Sequence, residues 1–253
     1  MGRVTVKPAT RSRVPPLRLG DNRTTSSALH RLQYNDPLKP WENFLQDVQD
    51  TDAAQSWRRT SIRLQHIDSV HEYFEVGDES GVQSRFIQNC GEELGRIFEA
   101  QGIDLNFSDF RCLGLSYTKT PDIVLKTKQG ELKVVGEIKV PWVNTHKPCL
   151  AFAYENDHAL RHLLAQPIQY LQDLKCAYGF YTTYDETVFL RQVLVDGVWE
   201  IQYSPIVLGE GFYQETSPFN VSVKQCFLHM ATLAGTQGPL TYDSFRPQWV
   251  VCS

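Results

Sequence analysis

Residues 120–142 constrain the fold of this chain more than any other stretch. They read TPDIVLKTKQGELKVVGEIKVPW. Two runs rich in branched apolar residues, 123–125 and 132–140, predict two β-strands. Gln129-Gly130 suits a two-residue turn, so the strands are expected to form a hairpin. Asp122 stands at the head of the first run, and Glu137 and Lys139 lie inside the second. Because an unpaired charge on a packed sheet is costly, these residues need a specific role.

The register of this hairpin determines where its charged side chains lie. If Lys128 pairs with Glu131, the same register places Asp122 opposite Glu137. Directly opposed residues share one face of a sheet, with Cα atoms about 4.5–5.5 Å apart. Side chains alternate along a strand, so Lys139 points to the same face as Glu137. A slip of one residue would separate the three charges.

Two carboxylates and a lysine on one face suit the hydrolysis of phosphodiester bonds. Hard divalent ions take oxygen ligands, so Asp122 and Glu137 are predicted to bind Mg²⁺ or Mn²⁺, helped by the carbonyl of Ile138. Such an ion activates water and neutralises charge at the scissile phosphate. Lys139 is predicted to orient that water or to stabilise the transition state. The alternatives are a solvated hairpin with an ordinary Glu–Lys pair, and turn chemistry for Asp122.

This spacing of Asp122 and the Glu137–Lys139 triplet resembles the PD-(D/E)xK nuclease superfamily. The resemblance covers about residues 75–205. It implies an α/β fold with a restriction-endonuclease-like core, in which helices flank a mixed central sheet. It also implies a Mg²⁺- or Mn²⁺-dependent deoxyribonuclease that leaves a 5′-phosphate. RNA as substrate, and endonuclease or exonuclease action, stay open.

A second element, QPIQY at residues 166–170, resembles the QxxxY motif of RecB-like nucleases. Residues at i and i+4 share a helix face. The resemblance implies that Gln166 and Tyr170 contact the metal site or the DNA backbone. The alternative is a polar helix surface, and Pro167 leaves the start of that helix open. Residues 177–192 also resemble nuclease-like domains of large fungal gene families.

The superfamily usually adds a glutamate from the helix before the hairpin. Residues 84–101 predict that helix, with Gly102 as its stop. Apolar residues recur along it at helical spacing. This stripe consists of Phe86, Cys90, Leu94, Ile97 and Phe98. Glu93 lies at the edge of the stripe and is the better metal-ligand candidate inside the helix. Glu79 at the helix entrance is its rival, or else a first-turn acid favoured by the helix dipole.

Charge is uneven along the chain. Seven of the 25 Lys and Arg residues but one of the 29 acids lie in residues 1–31, giving this segment a net charge of +6 and the remainder −10. With its prolines and few large apolar residues, the segment predicts a basic flexible arm over residues 1–35. Arg11 and Arg13 of the arm are predicted to follow phosphates. The alternative is a solvated tail or a contact with the acidic body.

The rest of the chain predicts two further regions. Residues 36–72 are expected to form a helical extension, and residues 73–253 the nuclease-like domain. Lys147 and Arg161 are predicted to lie near its cleft and to contact nucleic acid. The order of elements, with a strand hairpin and further strands between helices, indicates the α/β class.

Several classes of protein are disfavoured. No apolar run approaches the length of a membrane span, so no membrane partner is expected. The N-terminus lacks an apolar signal core. The six cysteines are scattered without the spacing of zinc or disulfide frameworks, which predicts a reducing, nuclear or cytoplasmic location. The oligomeric state stays open.

Two classes of function follow. The first is the metal-dependent nuclease. The second is a catalytically weak nuclease-like module used for binding nucleic acid or protein and for regulation. Because Asp122, Glu137 and Lys139 are all present, the sequence favours the first.

Overall fold

The computed structural model describes residues 2–26, 29, 31–64, 73–153, 157–215, 217, 220–238, 240–241 and 249–251. Within these ranges, an eight-stranded mixed sheet forms the centre of the fold, and apolar clusters that include helix residues cover both of its faces. This confirms the predicted α/β class. No helix in the described ranges is long and apolar enough to cross a membrane.

The strands are β1 (Gly2–Thr5), β2 (Arg18–Leu19), β3 (Leu32–Tyr34), β4 (Leu38–Pro40), β5 (Ser61–Leu64), β6 (Glu75–Val76), β7 (Asn106–Ser108), β8 (Ile123–Lys126), β9 (Leu132–Ile138), β10 (Tyr178–Thr182), β11 (Glu186–Val195), β12 (Val198–Tyr203), β13 (Val207–Leu208) and β14 (Trp249–Val251). The helices are α1 (Val6–Thr10), α2 (Phe44–Ala54), α3 (Glu79–Phe86), α4 (Glu92–Gln101), α5 (Pro148–Ala153), α6 (His158–Leu163), α7 (Ala165–Asp173) and α8 (Val223–Thr236). A π-helical turn at Ile87–Gly91 joins α3 to α4.

The central sheet has the order β4-β12-β11-β10-β9-β8-β7, and β13 also pairs with β11. In the described sheet, neighbours are antiparallel except for β10 with β9 and β12 with β4. Parallel neighbours need a crossover connection, and α5, α6 and α7 provide it between β9 and β10. As a result, α7 packs directly on both of these strands.

The hairpin of β8 and β9 has the predicted register. Its pairs include Ile123 with Gly136, Val124 with Val135, and Leu125 with Val134. The loop differs from the expected two-residue turn, because Thr127 N donates to Glu131 O at 2.9 Å. The loop is therefore Lys128–Gly130, and Gly130 adopts φ 91°, a left-handed conformation that suits glycine. A register shift beside the loop compensates for its extra residue, as a β-bulge does.

Side-chain alternation along β9 divides its residues between the two faces of the sheet. Val134 packs with the cluster that includes α4 and α8, whereas Val135 packs with the cluster that includes α6 and α7. Gly136 faces Phe180 on β10, and a Cβ at this glycine would lie 2.2 Å from Phe180 Cζ. Glu137 then turns back to the α7 face, as alternation requires.

The basic N-terminal segment packs on the body over its described part, residues 2–26. Strand β1 pairs with β5, and Ala9 and Thr10 of α1 are fully buried. Ser222 Oγ donates to the carbonyl of Thr10 at 2.6 Å, and the Tyr184 hydroxyl donates to the carbonyl of Pro15 at 2.6 Å. These contacts correct the expectation of a flexible arm. A few apolar side chains, among them Val6 and Val14, join the core, and backbone carbonyls of the segment accept the hydrogen bonds. A low content of large apolar residues does not reveal this packing.

The region expected to be a helical extension is also mixed. It contains one described helix, α2, which packs on α8. Strand β4 joins the central sheet beside β12, and β5 pairs with β1. Residues 55–64 contain no helix, so the expected helical extension is wrong over this part, and residues 65–72 lie outside the described ranges.

Candidate active site

The charged side chains predicted from the hairpin meet at the carboxyl end of β9. The backbone N–H of Ile138 donates to Asp122 Oδ2 at 2.8 Å. Lys139 Nζ lies 2.5 Å from Glu137 Oε1 and donates to Glu79 Oε2 at 3.2 Å. The structure thus brings together the three hairpin residues and one of the two candidate glutamates.

The position of β9 in the middle of the sheet explains why this cluster is buried. Glu137 is 1% and Lys139 is 4% exposed, because β8 and β10 flank the strand and α7 covers it. Tyr181 of β10 pairs beside Glu137, and Lys139 N donates to the carbonyl of Thr182 at 2.9 Å. The strand backbone is held on both sides, so the charged side chains start from a rigid frame.

Gln166 and Tyr170 lie on α7 and belong to the same cluster. The Tyr170 hydroxyl contacts Glu137 Oε2 at 3.2 Å and the carbonyl of Thr120 at 3.4 Å, either of which can accept its proton. Gln166 Nε2 donates to that hydroxyl at 2.7 Å. Pro167 lies in the first turn of α7, where its missing N–H would be unpaired anyway. The proline therefore does not break the pair.

Glu79, rather than Glu93, reaches the cluster. Glu79 is the first residue of α3, whereas Glu93 forms a buried ion pair with Lys224 of α8. A π-helical turn separates the two glutamates and rotates α4 relative to a continuous α-helix. Projection at 100° per residue across Ile87–Gly91 therefore does not apply. The prediction that Glu93 is a metal ligand is therefore wrong, because its carboxylate pairs with Lys224.

Sequence reasoning missed one residue that shapes the site. Gln83 Nε2 donates to the backbone carbonyl of Asp122 at 2.7 Å. Gln83 lies one helical turn after Glu79, so the i, i+4 spacing would have indicated it once Glu79 was chosen. Unless Glu79 is chosen first, no pattern in the sequence indicates Gln83, since this hydrogen bond joins elements that are distant in the chain.

The cluster contains more carboxyl groups than the single ammonium group of Lys139 can neutralise. Burial, and then repulsion from Asp122, raise the pKa of Glu137 to about 8, although Lys139 opposes this. Burial also raises the pKa of Asp122, against the hydrogen bond from Ile138. Burial by itself would lower the pKa of Lys139, but the carboxylates of Glu137 and Glu79 outweigh it and raise that pKa.

The donor set suits a hard divalent ion, although the acids surround an ammonium group here. No three described His, Cys, Asp or Glu side chains are arranged to bind a metal, and Lys139 lies between Glu137 and Glu79. Buried Glu137 Oε1 accepts no properly angled hydrogen bond from a described residue, despite its short contact with Lys139. Mg²⁺ usually takes one or two carboxylates and keeps several waters. Asp122, Glu137 and the Ile138 carbonyl can provide such a set.

Two of the residues predicted to contact nucleic acid serve the fold instead. Arg11 forms an ion pair with the buried Asp52. Arg161 pairs with an aspartate one turn earlier and donates to two backbone carbonyls. Both guanidinium groups are therefore paired within the fold. The predictions that Arg11 and Arg161 contact nucleic acid are corrected accordingly. Arg13 is exposed and Lys147 is half-buried, and their role stays a prediction.

Comparisons of this chain with protein-family models, with curated proteins and with solved structures found no significant match. The function proposed below therefore depends on the geometry of the site.

Proposed function

We propose that this chain is a metal-dependent nuclease that hydrolyses phosphodiester bonds, with DNA as its expected substrate. The observation that carries the proposal is the convergence of Asp122, Glu137 and Lys139 on one buried spot, with Glu137 in an environment that favours a cation. Simple structural ion pairing would need one acid for one lysine. Here Glu79 and Asp122 supply further carboxylates beside Glu137 and Lys139, a surplus that a divalent cation would neutralise.

The acidic residues would hold the metal ion. Asp122 and Glu137 would provide carboxylate oxygens to it, and Ile138 would provide its backbone carbonyl. When bound, the ion supplies an activated water and neutralises charge on the scissile phosphate. Gln83 and the N–H of Ile138 fix the backbone and side chain of Asp122, so this ligand is preorganised.

The remaining residues position charge and protons. Lys139 places an ammonium group beside the carboxylates, where it can stabilise negative charge that develops on the phosphate. Glu79 holds Lys139 from the solvent side, since its side chain is 42% exposed. The hydroxyl of Tyr170 orients Glu137, and Gln166 in turn fixes that hydroxyl.

The substrate would approach from the side of Glu79, Asp122 and Gln166. These three side chains are half-buried, whereas Glu137 and Lys139 are buried behind them. A phosphate could therefore reach the ammonium group and the carboxylates along this edge without opening the sheet.

The test is cleavage of labelled single-stranded DNA, duplex DNA and RNA with Mg²⁺, with Mn²⁺ and with EDTA. The wild type should cleave at least one of these substrates in a metal-dependent way. Asp122→Asn, Glu137→Gln and Lys139→Met should each lose at least about 100-fold in rate, as removal of a transition-state contact does. Glu92→Gln, which changes an exposed acid on α4, is the matched control and should cleave normally. Metal-independent or absent cleavage by the folded wild type would refute the proposal.

A specific observation also favours the second candidate, a module with little catalysis. Lys139 already occupies the space between Glu137 and Glu79, and a metal ion would have to displace it. Titration with Mn²⁺ by calorimetry separates the two functions. Binding that is lost in Glu137→Gln supports the nuclease, whereas nucleic-acid binding without any Mn²⁺ binding supports the module.

A further inference from the structure

Thr24 connects the segment that precedes Glu79 with the segment that follows Lys139. Its backbone N–H donates to the carbonyl of Gly77 at 2.8 Å, and its carbonyl accepts from Trp142 Nε1 at 2.8 Å. Gly77 lies two residues before Glu79, and Trp142 lies three residues after Lys139. The chain around Thr24 is therefore tied beside the site from both directions.

The preceding residue, Arg23, presents an exposed guanidinium group at this point. Its Cζ atom lies 5.9 Å from the centre of the Trp142 ring, which is within the range of a cation–π contact. Within the described ranges Arg23 has no acidic partner. Arg18 on the same segment differs, because it pairs with Glu75 at 2.8 Å.

Arg23 is linked to the surroundings of the site through Trp142 and Thr24. Three residues of extended chain span at most about 11 Å. The Cα atoms of Lys139 and Trp142 are therefore at most this far apart. Arg23 lies over Trp142 and Thr24 is bonded near the start of α3, where Glu79 opens to solvent. These contacts attach Arg23 to the segment that precedes Glu79 and to the segment that follows Lys139.

The chemistry of this position favours a phosphate ligand. A guanidinium group binds phosphate oxygens through two parallel hydrogen bonds, and stacking on an aromatic ring preorganises it. The acids at the centre of the site would repel a polyanion, so a nearby unpaired cation is needed to hold one. Arg11 and Arg161 cannot serve, because both are used inside the fold.

We propose that Arg23, held over Trp142, binds a backbone phosphate of the nucleic acid next to the scissile phosphate. The inference rests on the proposed nuclease function and assigns part of its substrate-binding surface. Arg23 contacts the substrate, and Trp142 is a positioning residue that acts through Arg23 and through the hydrogen bond to Thr24.

The experiment measures binding of a short fluorescein-labelled DNA, as duplex and as single strand, by fluorescence anisotropy. All proteins carry Glu137→Gln so that the DNA stays intact, and the buffer contains Mg²⁺. Adding Arg23→Ala should raise Kd about tenfold, as expected for the loss of one charged hydrogen-bonded contact. It should also reduce the salt slope by about 0.9 on duplex or about 0.7 on single-stranded DNA. Adding Arg18→Ala removes an equal charge from an ion pair and should change neither quantity appreciably.

Two further variants separate positioning from loss of folding. Trp142→Phe keeps an aromatic face for Arg23 and should retain most of the affinity, whereas Trp142→Leu should weaken binding as Arg23→Ala does. Melting temperatures and Mn²⁺ titrations in the wild-type background should be unchanged by Arg23→Ala, since the hydrogen bonds of Thr24 come from the backbone and from Trp142.

The outcomes distinguish this inference from the proposed function. If the wild type cleaves DNA but Arg23→Ala binds like Arg18→Ala, the phosphate contact is refuted and the nuclease stands. If the folded wild type neither binds nor cleaves any nucleic acid with Mg²⁺, both proposals fail. Equal loss of affinity in Arg23→Ala and Arg18→Ala would show a general charge effect and would also overturn the assignment to Arg23.

Discussion

Replacing Glu137 by glutamine tests the electrostatics of the site independently of any enzymatic activity. In the folded protein the pKa of this carboxyl is raised from 4.5 to about 8, mainly by burial and then by Asp122. The folded state therefore holds a proton that the unfolded chain releases. The resulting stabilisation is fully present below pH 4.5 and is lost as the pH rises through about 8.

The size of the effect follows from this pKa difference. Each pH unit between the unfolded and folded values corresponds to about 1.4 kcal/mol, so the complete loss is at most about 5 kcal/mol. Coupling to Lys139 and Asp122 spreads the proton over the cluster, and a measured change of about 2–4 kcal/mol is expected between pH 5 and pH 8. Glutamine carries no such proton, so the Glu137→Gln variant should lose much less stability over this range.

The assay is urea denaturation in EDTA at pH 5, 6.5 and 8, with wild type, Glu137→Gln and the exposed control Glu92→Gln. Groups elsewhere titrate equally in all three proteins, so the difference between wild type and Glu137→Gln isolates the site. Equal pH dependence of the unfolding free energy in these two proteins would refute the buried, proton-binding site.

Metal ions should oppose the loss of wild-type stability that occurs as the pH rises. Binding requires an ionised carboxylate and releases its proton, so Mn²⁺ should stabilise the wild type more at pH 8 than at pH 6. Glu137→Gln should show little of this gain. A melting temperature that responds to Mn²⁺ equally in both proteins would place the ion elsewhere.

Three further changes test the surroundings of the site. Tyr170→Phe removes the hydroxyl between Gln166 and Glu137 and should lower turnover about tenfold or more while the melting temperature shifts little; equal turnover would reduce the motif to coincidence. Lys224→Met leaves Glu93 buried without its partner and should cost about 3–5 kcal/mol in urea denaturation; a near-neutral result would contradict the buried pair. Gly136→Ala places a methyl group against Phe180 and should cost about 1–3 kcal/mol, measured in the same way; unchanged stability would show that the sheet can yield there.

The part of the site that depends on local geometry can be predicted from the order of the residues. Strand alternation and one register place Asp122, Glu137 and Lys139 together, and the structure has that register even though the loop is one residue longer than expected. A bulge beside the loop absorbs the difference. The i, i+4 spacing of Gln166 and Tyr170 likewise needed nothing beyond a helix.

Which residues from distant parts of the chain join this hairpin depends on how the helices and strands pack. Glu93 pairs with Lys224 of α8, and Glu79 pairs with Lys139, a division that local periodicity does not encode. Basic residues were equally ambiguous, because Arg11 and Arg161 resemble any exposed arginine until the fold brings an acid or carbonyls beside them. Short-range periodicity specifies the direction of a side chain from its own element, whereas its partner depends on how separate elements pack.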